Sequence, residues 1–407
     1  MTKTVFFNIP AQGHINPSLP VTAELVRRGE QVIYVNAEEI RSLAETTGAV
    51  FRPYPAMPEL IALVQNSAGN IPRNALALVE IGERLLPFIF DLLRAEQPDY
   101  VIFDSLAGWG KQAADVLGIP ALASIVTFVL IPGDRMPIPT TLALRTIGQF
   151  LPVIPRYMRT ARRIRRNLGV KNIGLLGAVM NTGEMNIIYT SRDFQPGASR
   201  FDERFQFVGP SISPRPDDSG FPFEQITRQP VIYISLGTIH NDNLDFYRQC
   251  FAAFADHPGQ FILSAGKRTD LQVLGDIPAN FIVRNFVPQL EVLERTDVFI
   301  THGGMNSVSE GLWYGVPLVA IPHQVEQAVV AHEVEKQGAG LALGMQPPFG
   351  HVTASELRAA VDRILADRTP YQQAAVRLGD SFRAAGGYAR AADAILAFAQ
   401  SHPRVKS

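Results

Sequence analysis

The apolar run Val298-Phe299-Ile300 stops at His302-Gly303-Gly304, and residues able to form a helix follow at once. β-Branched and aromatic side chains in an unbroken run mark a buried strand. A strand that feeds a helix through a glycine turn is the unit of doubly wound α/β folds. The transition gathers several backbone N–H groups and the positive end of a helix dipole at one point, a place suited to phosphate. His302, Asn306 and Ser307 add side-chain donors, while Glu310 and the pair Glu326-Gln327 are acceptors for sugar hydroxyls. Taken together, Thr301 to Gln327 reads as a pocket for a nucleotide sugar. Packing offers its own account of the parts: Ser307-x-x-Glu310 has capping-box spacing, Gly303-Gly304 fits a tight turn, and His302 fits a satisfied buried histidine.

The same rhythm recurs along the chain. Val5 to Ile9 reads as a first buried strand, Pro10 to His14 as a loop, and Asn16-Pro17 as a helix start with an N-cap and proline at the first helical position. That helix stops at Gly29, and Gln31 to Val35 is the next strand. No G-x-G-x-x-G follows the first strand, so the dinucleotide fingerprint is missing. Sites in such sheets lie at the carboxyl ends of strands. His14 falls there, and so does Asp104, which follows Tyr100-Val101-Ile102-Phe103 and precedes a helix around Trp109 to Leu117; Asp104 or Ser105 would also serve as that helix's cap. Pro210 to Pro230 is dense in Pro, Ser, Asp and Gly and reads as a linker. Val231 to Leu236 then opens a second βα series, with Gly237-Thr238 at its strand end.

At 407 residues the chain is too long for one core, and 46% hydrophobic with 18% charged residues supplies material for two. The expected division is 1–209, a linker 210–230, 231–386, and an Ala-rich terminal helix 387–407. A net charge of −1 gives no pull toward nucleic acid or anionic membrane. Cys250 is the single cysteine, which excludes an internal disulfide and fits a reducing cytosol. No Cys/His cluster has zinc spacing. The start of the chain reads as a strand rather than a signal peptide, and Ile119 to Ile131 is too short to span a membrane. A cytoplasmic protein, monomer or weak dimer, without stable membrane insertion or nucleic-acid partner, is expected. Arg156 to Arg166 is a basic run on a helix, read as a solvated face. Segments 56–90 and 124–185 read as irregular and rich in Phe and Met, among them Phe128, Met136, Ile138 and Met180.

The order HGGxNSxxEG, xxGVP and EQ resembles the donor signature of the inverting GT-B glycosyltransferases of family 1, which include plant UDP-glycosyltransferases and bacterial macrolide glycosyltransferases. Phe286-Val287-Pro288-Gln289, Ile234 to Thr238, the Ala385-Gly386-Gly387 region and Gly13-His14-x-x-Pro17 extend the match over most of the chain, more closely on the macrolide side. The resemblance implies an α/β, GT-B architecture: two Rossmann-like domains whose parallel sheets face a central cleft. It implies that Gly13, Thr238, Phe286, Val287, Gln289, His302, Gly304, Asn306, Ser307, Glu310, Glu326 and Gln327 bind the donor. Phe286 would stack on the base, Glu310 would hold the ribose, and Glu326-Gln327 would hold the sugar hydroxyls. Phe128, Met136, Ile138 and Met180 would line the acceptor pocket. Plant members carry Trp at Phe286 and Met305, and Asp where Glu326 stands.

For the chemistry, His14 is the candidate general base, with Asp104 orienting it. The chain has no D-x-D triplet, so no metal and no cofactor is expected beyond the UDP-sugar co-substrate. The partner molecule is a hydrophobic, hydroxylated acceptor. A lipid-linked or carotenoid acceptor at a membrane, a nucleotide-sugar-binding module without catalysis, and a UDP-sugar epimerase are the competing readings.

Overall fold

The computed structural model describes residues 2–402 apart from 56–57, 66–70, 130–147, 172, 174–179, 216–219 and 239–242. By their contacts the described residues divide into two compact units, 2–129 with 148–212 and 384–402, and 213–383.

The first unit is built on seven strands: β1 Lys3–Phe7, β2 Gln31–Asn36, β3 Val50–Pro53, β4 Tyr100–Asp104, β5 Ala121–Ile125, β6 Met185–Ile188 and β7 Phe205–Phe207. They lie in the order β3-β2-β1-β4-β5-β6-β7, every pair parallel. Alternate side chains of a strand face opposite ways, and both faces here are covered. Val5, Phe7, Val101 and Phe103 enter one core, while Phe6, Tyr100 and Ile102 enter the other. That is why the strands read as continuous apolar runs. Between them run α1 Gln12–Arg27, α2 Arg41–Glu45, α3 Pro58–Gln65, α4 Ile71–Glu96, α5 Gly108–Leu117 and α6 Ile154–Leu168. Gly110 lets α5 lie close on the sheet, for a Cβ there would come 2.8 Å from Phe7 Cδ2.

The second unit repeats the plan with β8 Val231–Ser235, β9 Gln260–Ser264, β10 Phe281–Arg284, β11 Val298–Thr301, β12 Leu318–Ala320 and β13 Gly340–Ala342. The order is β10-β9-β8-β11-β12-β13, again all parallel. Its helices are α7 Leu244–Phe254, α8 Gln289–Leu293, α9 Met305–Trp313, α10 Val325–Lys336, α11 Ala354–Ala366 and α12 Arg368–Ala385. Ile232 and Ile234 enter its core, while Tyr233 stacks on Phe299 at 4.8 Å on the other face.

The last helix, α13 Gly387–Ser401, packs in the first unit. Ala391, Ala392, Ile395 and Phe398 join Val21 and Leu25 of α1 in one core, and Arg28 Nη1 pairs with Asp393 at 2.5 Å.

Two readings of the sequence are corrected. The first helix starts at Gln12, not Asn16, with Pro17 and Pro20 inside it. Each proline removes one helical hydrogen bond, but the first turn is held by His14 N and Ile15 N on Ala11 O, and by Asn8 Nδ2 on His14 O at 3.2 Å. Segment 56–90 is not irregular, since α3 and most of α4 run through it. The basic run does form a helix, α6, with a solvated face. Its Tyr157, Thr160 and Ile164 are buried, and Arg156 and Arg163 pair with Glu80 and Glu83 of α4 at 2.5 and 2.6 Å.

Candidate active site

In each sheet the strand order reverses between two central strands, and the crevice at their carboxyl ends is where α/β sheets take ligands. In the first unit those strands are β1 and β4, paired Phe7 to Phe103. Asp104 is the last residue of β4, and His14 is the third residue of the helix that follows β1. The register brings them together: His14 Nδ1 lies 2.7 Å from Asp104 Oδ2. The carboxylate is 0% exposed and the imidazole 18%. Asp104 Oδ1 accepts from Leu106 N at 2.8 Å, which fixes the carboxylate from its other side. An ionised carboxylate only accepts, so this pairing assigns the ring hydrogen to Nδ1, the tautomer in which the lone pair sits on Nε2. Neither Asp104 nor Ser105 caps α5, whose N-cap is Ala107 without a side-chain bond. The capping account of Asp104 therefore fails.

Asn8 was not singled out as a functional residue, yet it builds the turn that carries His14. Fully buried, its amide donates to Ser18 Oγ at 2.9 Å and Tyr34 Oη at 2.8 Å as well as to His14 O. Its backbone carbonyl accepts from Tyr54 Oη at 3.0 Å, and its Oδ1 accepts from Ile9 N at 2.7 Å. The signal in the sequence was one amide interrupting an apolar run. Burial pushes the Tyr34 phenol up to about 12, which keeps it neutral in this cluster.

In the second unit the central pair is β8 and β11, with Ser235 opposite Thr301. His302, Gly303 and Gly304 leave β11, and Gly237 and Thr238 leave β8. The His302 ring sits against both turns. A Cβ on Gly237 would lie 2.5 Å from His302 Cε1, and one on Gly304 would collide with Nε2 of the same ring. Gly237 and Gly303 have φ of +74° and +77°, a region where glycine is at ease. Gly304 is the N-cap of α9, and no side chain caps that helix. Ser307 and Glu310 lie three and six residues inside it, so they form no capping box.

The other candidates spread around this point. Phe286 projects a ring that is 51% exposed, with Lys267 Nζ 6.0 Å from its centroid, while Val287 is buried. Gln289 opens α8 and donates through Nε2 to Glu310 Oε2 at 2.5 Å. Thr238 and Glu326 are exposed, and Asn306 is half-buried. Gln327 is buried, its Oε1 accepting from His323 N at 2.8 Å. Gly13 is exposed at the second position of α1. Of the acceptor candidates, Phe128 is buried against Phe194 at 5.2 Å, Met180 is half-buried beside the first core, and Met136 and Ile138 lie outside the described residues. Arg215, unmarked in the sequence reading, reaches Glu310 Oε1 with Nη2 at 2.5 Å; a lone arginine in a linker-like stretch gave no signal. Among the described residues, no group of three or more His, Cys, Asp or Glu side chains is arranged to hold a metal, and no helix is long and apolar enough to cross a membrane.

Comparison with known proteins runs the length of the chain. Residues 251–392 match the family model for the erythromycin biosynthesis protein CIII-like C-terminal domain. The chain is similar to the uncharacterized UDP-glucosyltransferase YojK of Bacillus subtilis (strain 168), 35% identical over 407 residues and 97% of each chain. It is also similar to the NDP-glycosyltransferase YjiC of Bacillus licheniformis, 36% identical over 398 residues and 96% of each. Among solved structures, the glycotransferase of kitacinnamycin matches with a TM-score of 0.81 at 30% identity, over 98% of both chains.

Proposed function

We propose, for a chain that belongs to the GT-B glycosyltransferases of family 1, that it moves a hexose, glucose foremost, from a UDP-sugar to a hydroxyl of a hydrophobic natural product. The observation that carries this reading is the His14–Asp104 pair at the switch point of the first sheet, 2.7 Å apart.

The attacking hydroxyl must lose its proton as it reaches the anomeric carbon. Nε2 of His14 takes that proton, and Asp104 stabilises the imidazolium that forms. This is the base-and-orienter half of a catalytic triad, without an enzyme nucleophile. General-base catalysis is worth roughly 10²–10⁴ in rate. Displacement in one step inverts the centre, so an α-linked donor yields a β-glycoside.

The departing diphosphate needs donors. The N-terminus of α9, which no side chain caps, and His302 beside it supply dipole and hydrogen bonds in place of a metal. Glu310 holds the ribose, a preference for UDP over dTDP, since a site built for a hydroxyl rejects the deoxy analogue strongly. Phe286 stacks on the base, and Glu326 and Gln327 bind the sugar. Relatives named as a UDP-glucosyltransferase and as the glycotransferase of kitacinnamycin support the choice of donor and of acceptor class.

The test is incubation with UDP-glucose and a panel of phenols, macrolides and sterol or carotenoid alcohols, followed by mass spectrometry. One added hexose on a panel member, with UDP released in step, is the expected result. UDP release without any glycoside would point to hydrolysis or epimerisation and refute transfer.

A further inference from the structure

Glu310 stands on α9 with 3% of its side chain exposed. An ionised carboxylate so placed needs partners, and it has two. Oε2 accepts from Gln289 Nε2, whose own Oε1 accepts from Tyr233 Oη at 3.2 Å. Oε1 accepts from Arg215 Nη2, a charge-assisted bond. Arg215 lies 95 residues away along the chain, close to the start of the second unit at Ser213. Its side chain remains 37% exposed.

Each oxygen of a carboxylate has about two acceptor sites. With one donor direction used on each oxygen, each keeps capacity for a second donor. That is the pattern a vicinal diol meets. Gln289 is neutral and cannot offset the buried charge, so Arg215 is the partner that brings an opposite charge to Glu310 and aims its carboxylate. We propose that Arg215 is a positioning residue for the donor: it neutralises and orients Glu310 so that the two remaining acceptor sites take the 2′- and 3′-hydroxyls of ribose. Arg215 acts through Glu310 and sets the preference for ribonucleotide over deoxyribonucleotide. The inference rests on the UDP-sugar reading above.

Calorimetric titration of the full chain with UDP and with 2′-deoxy-UDP tests it. The unmodified protein binds UDP more tightly than its deoxy analogue. In Arg215→Met, UDP binding falls about thirtyfold and 2′-deoxy-UDP binding only about threefold, the range of one bond to a charged group. Arg215→Lys restores most of the preference, and in a Glu310→Gln background Arg215→Met adds less than about twofold, as expected for residues in one network. Should Arg215→Met fail to fold on thermal melting, Arg215→Gln, which keeps a donor and loses the charge, is read by the same ratio. Equal losses for both nucleotides, no loss for either, or losses that simply multiply with Glu310→Gln overturn the proposal. If the unmodified protein binds UDP but the variants keep its preference, this inference alone falls. If it binds neither nucleotide, the UDP-sugar reading falls too.

Discussion

Asp104→Asn changes the chemistry of one atom and almost no volume. Asp104 Oδ1 accepts from Leu106 N at 2.8 Å and Oδ2 from His14 Nδ1 at 2.7 Å. An amide has one oxygen and one NH₂, so it satisfies only one of these. Oxygen toward Leu106 aims NH₂ at Nδ1, which must then accept; the ring hydrogen moves to Nε2 and the base is lost. Oxygen toward His14 keeps the active tautomer but sets NH₂ against the Leu106 N–H, two donors facing each other in a site with no exposure. That arrangement costs about 1–3 kcal/mol, so the active tautomer drops to roughly one part in ten to one in a hundred. Loss of the charge that stabilises imidazolium comes on top, and general-base catalysis as a whole sets the ceiling. The expected fall in kcat with an aliphatic alcohol is therefore about 10²–10⁴, and phenols, already acidic, lose less. UDP affinity is expected to stay as it was, because Asp104 ends a strand of the first sheet and the change leaves Glu310, Gln289 and the start of α9 as they are. Initial rates with both acceptor types and calorimetry with UDP make the test. An unchanged kcat, or a drop in UDP affinity that matches the drop in rate, would refute the assignment.

Gly304→Ala drives a methyl group into the His302 ring and should weaken UDP binding at least about tenfold by calorimetry; normal affinity would mean that His302 has no part in holding the diphosphate. Activity should survive EDTA, and complete loss restored by Mg²⁺ would overturn the metal-free scheme. The Arg27 guanidinium chiefly, against burial and with help from Arg28, holds the Glu24 carboxyl at about 2 instead of 4.5. A lowered carboxyl value gives stability above its unfolded value that fades as pH falls from 4.5 toward 2. Glu24→Gln should therefore cost about 1 kcal/mol at pH 7, and its melting temperature should converge on that of the unmodified protein below pH 4.5; a constant gap would sink this account.

What could be read in advance followed from period and punctuation. Strands covered on both faces are continuous apolar runs, and Tyr100 to Phe103 and Val231 to Ser235 gave themselves away in that manner. His14 and Asp104 were legible because they stand where runs end. The failures were failures of local rules against tertiary bonds. Pro17 suggested a first helical position, but His14 N and Ile15 N on Ala11 O close a turn ahead of it, so the helix begins at Gln12 with both prolines inside. Helix α4 contains Pro87 and begins beside another proline, Pro72, so its 26 residues looked broken in sequence. Arg215 was invisible because its meaning lies wholly in Glu310, 95 positions away; no spacing rule reaches that far.

The two sheets show how one topology serves opposite charges. Paired central strands end level in both, Phe7 with Phe103 and Ser235 with Thr301. In the first, the carboxylate belongs to the strand itself and is pinned by the Leu106 amide, so a negative charge is held beside the His14 imidazole. In the second, the sequence that leaves β11 carries no acidic residue until Glu310, the sixth residue of α9, roughly 9 Å along the helix at 1.5 Å per residue. A carboxylate at the level of Asp104 would repel a diphosphate there, whereas His302 and a helix start with no capping side chain attract one. Distance along α9 thus separates Glu310 from the helix start at Gly304. Both sheets are parallel with one reversal of strand order, and a few residues at the strand ends set the charge that each presents.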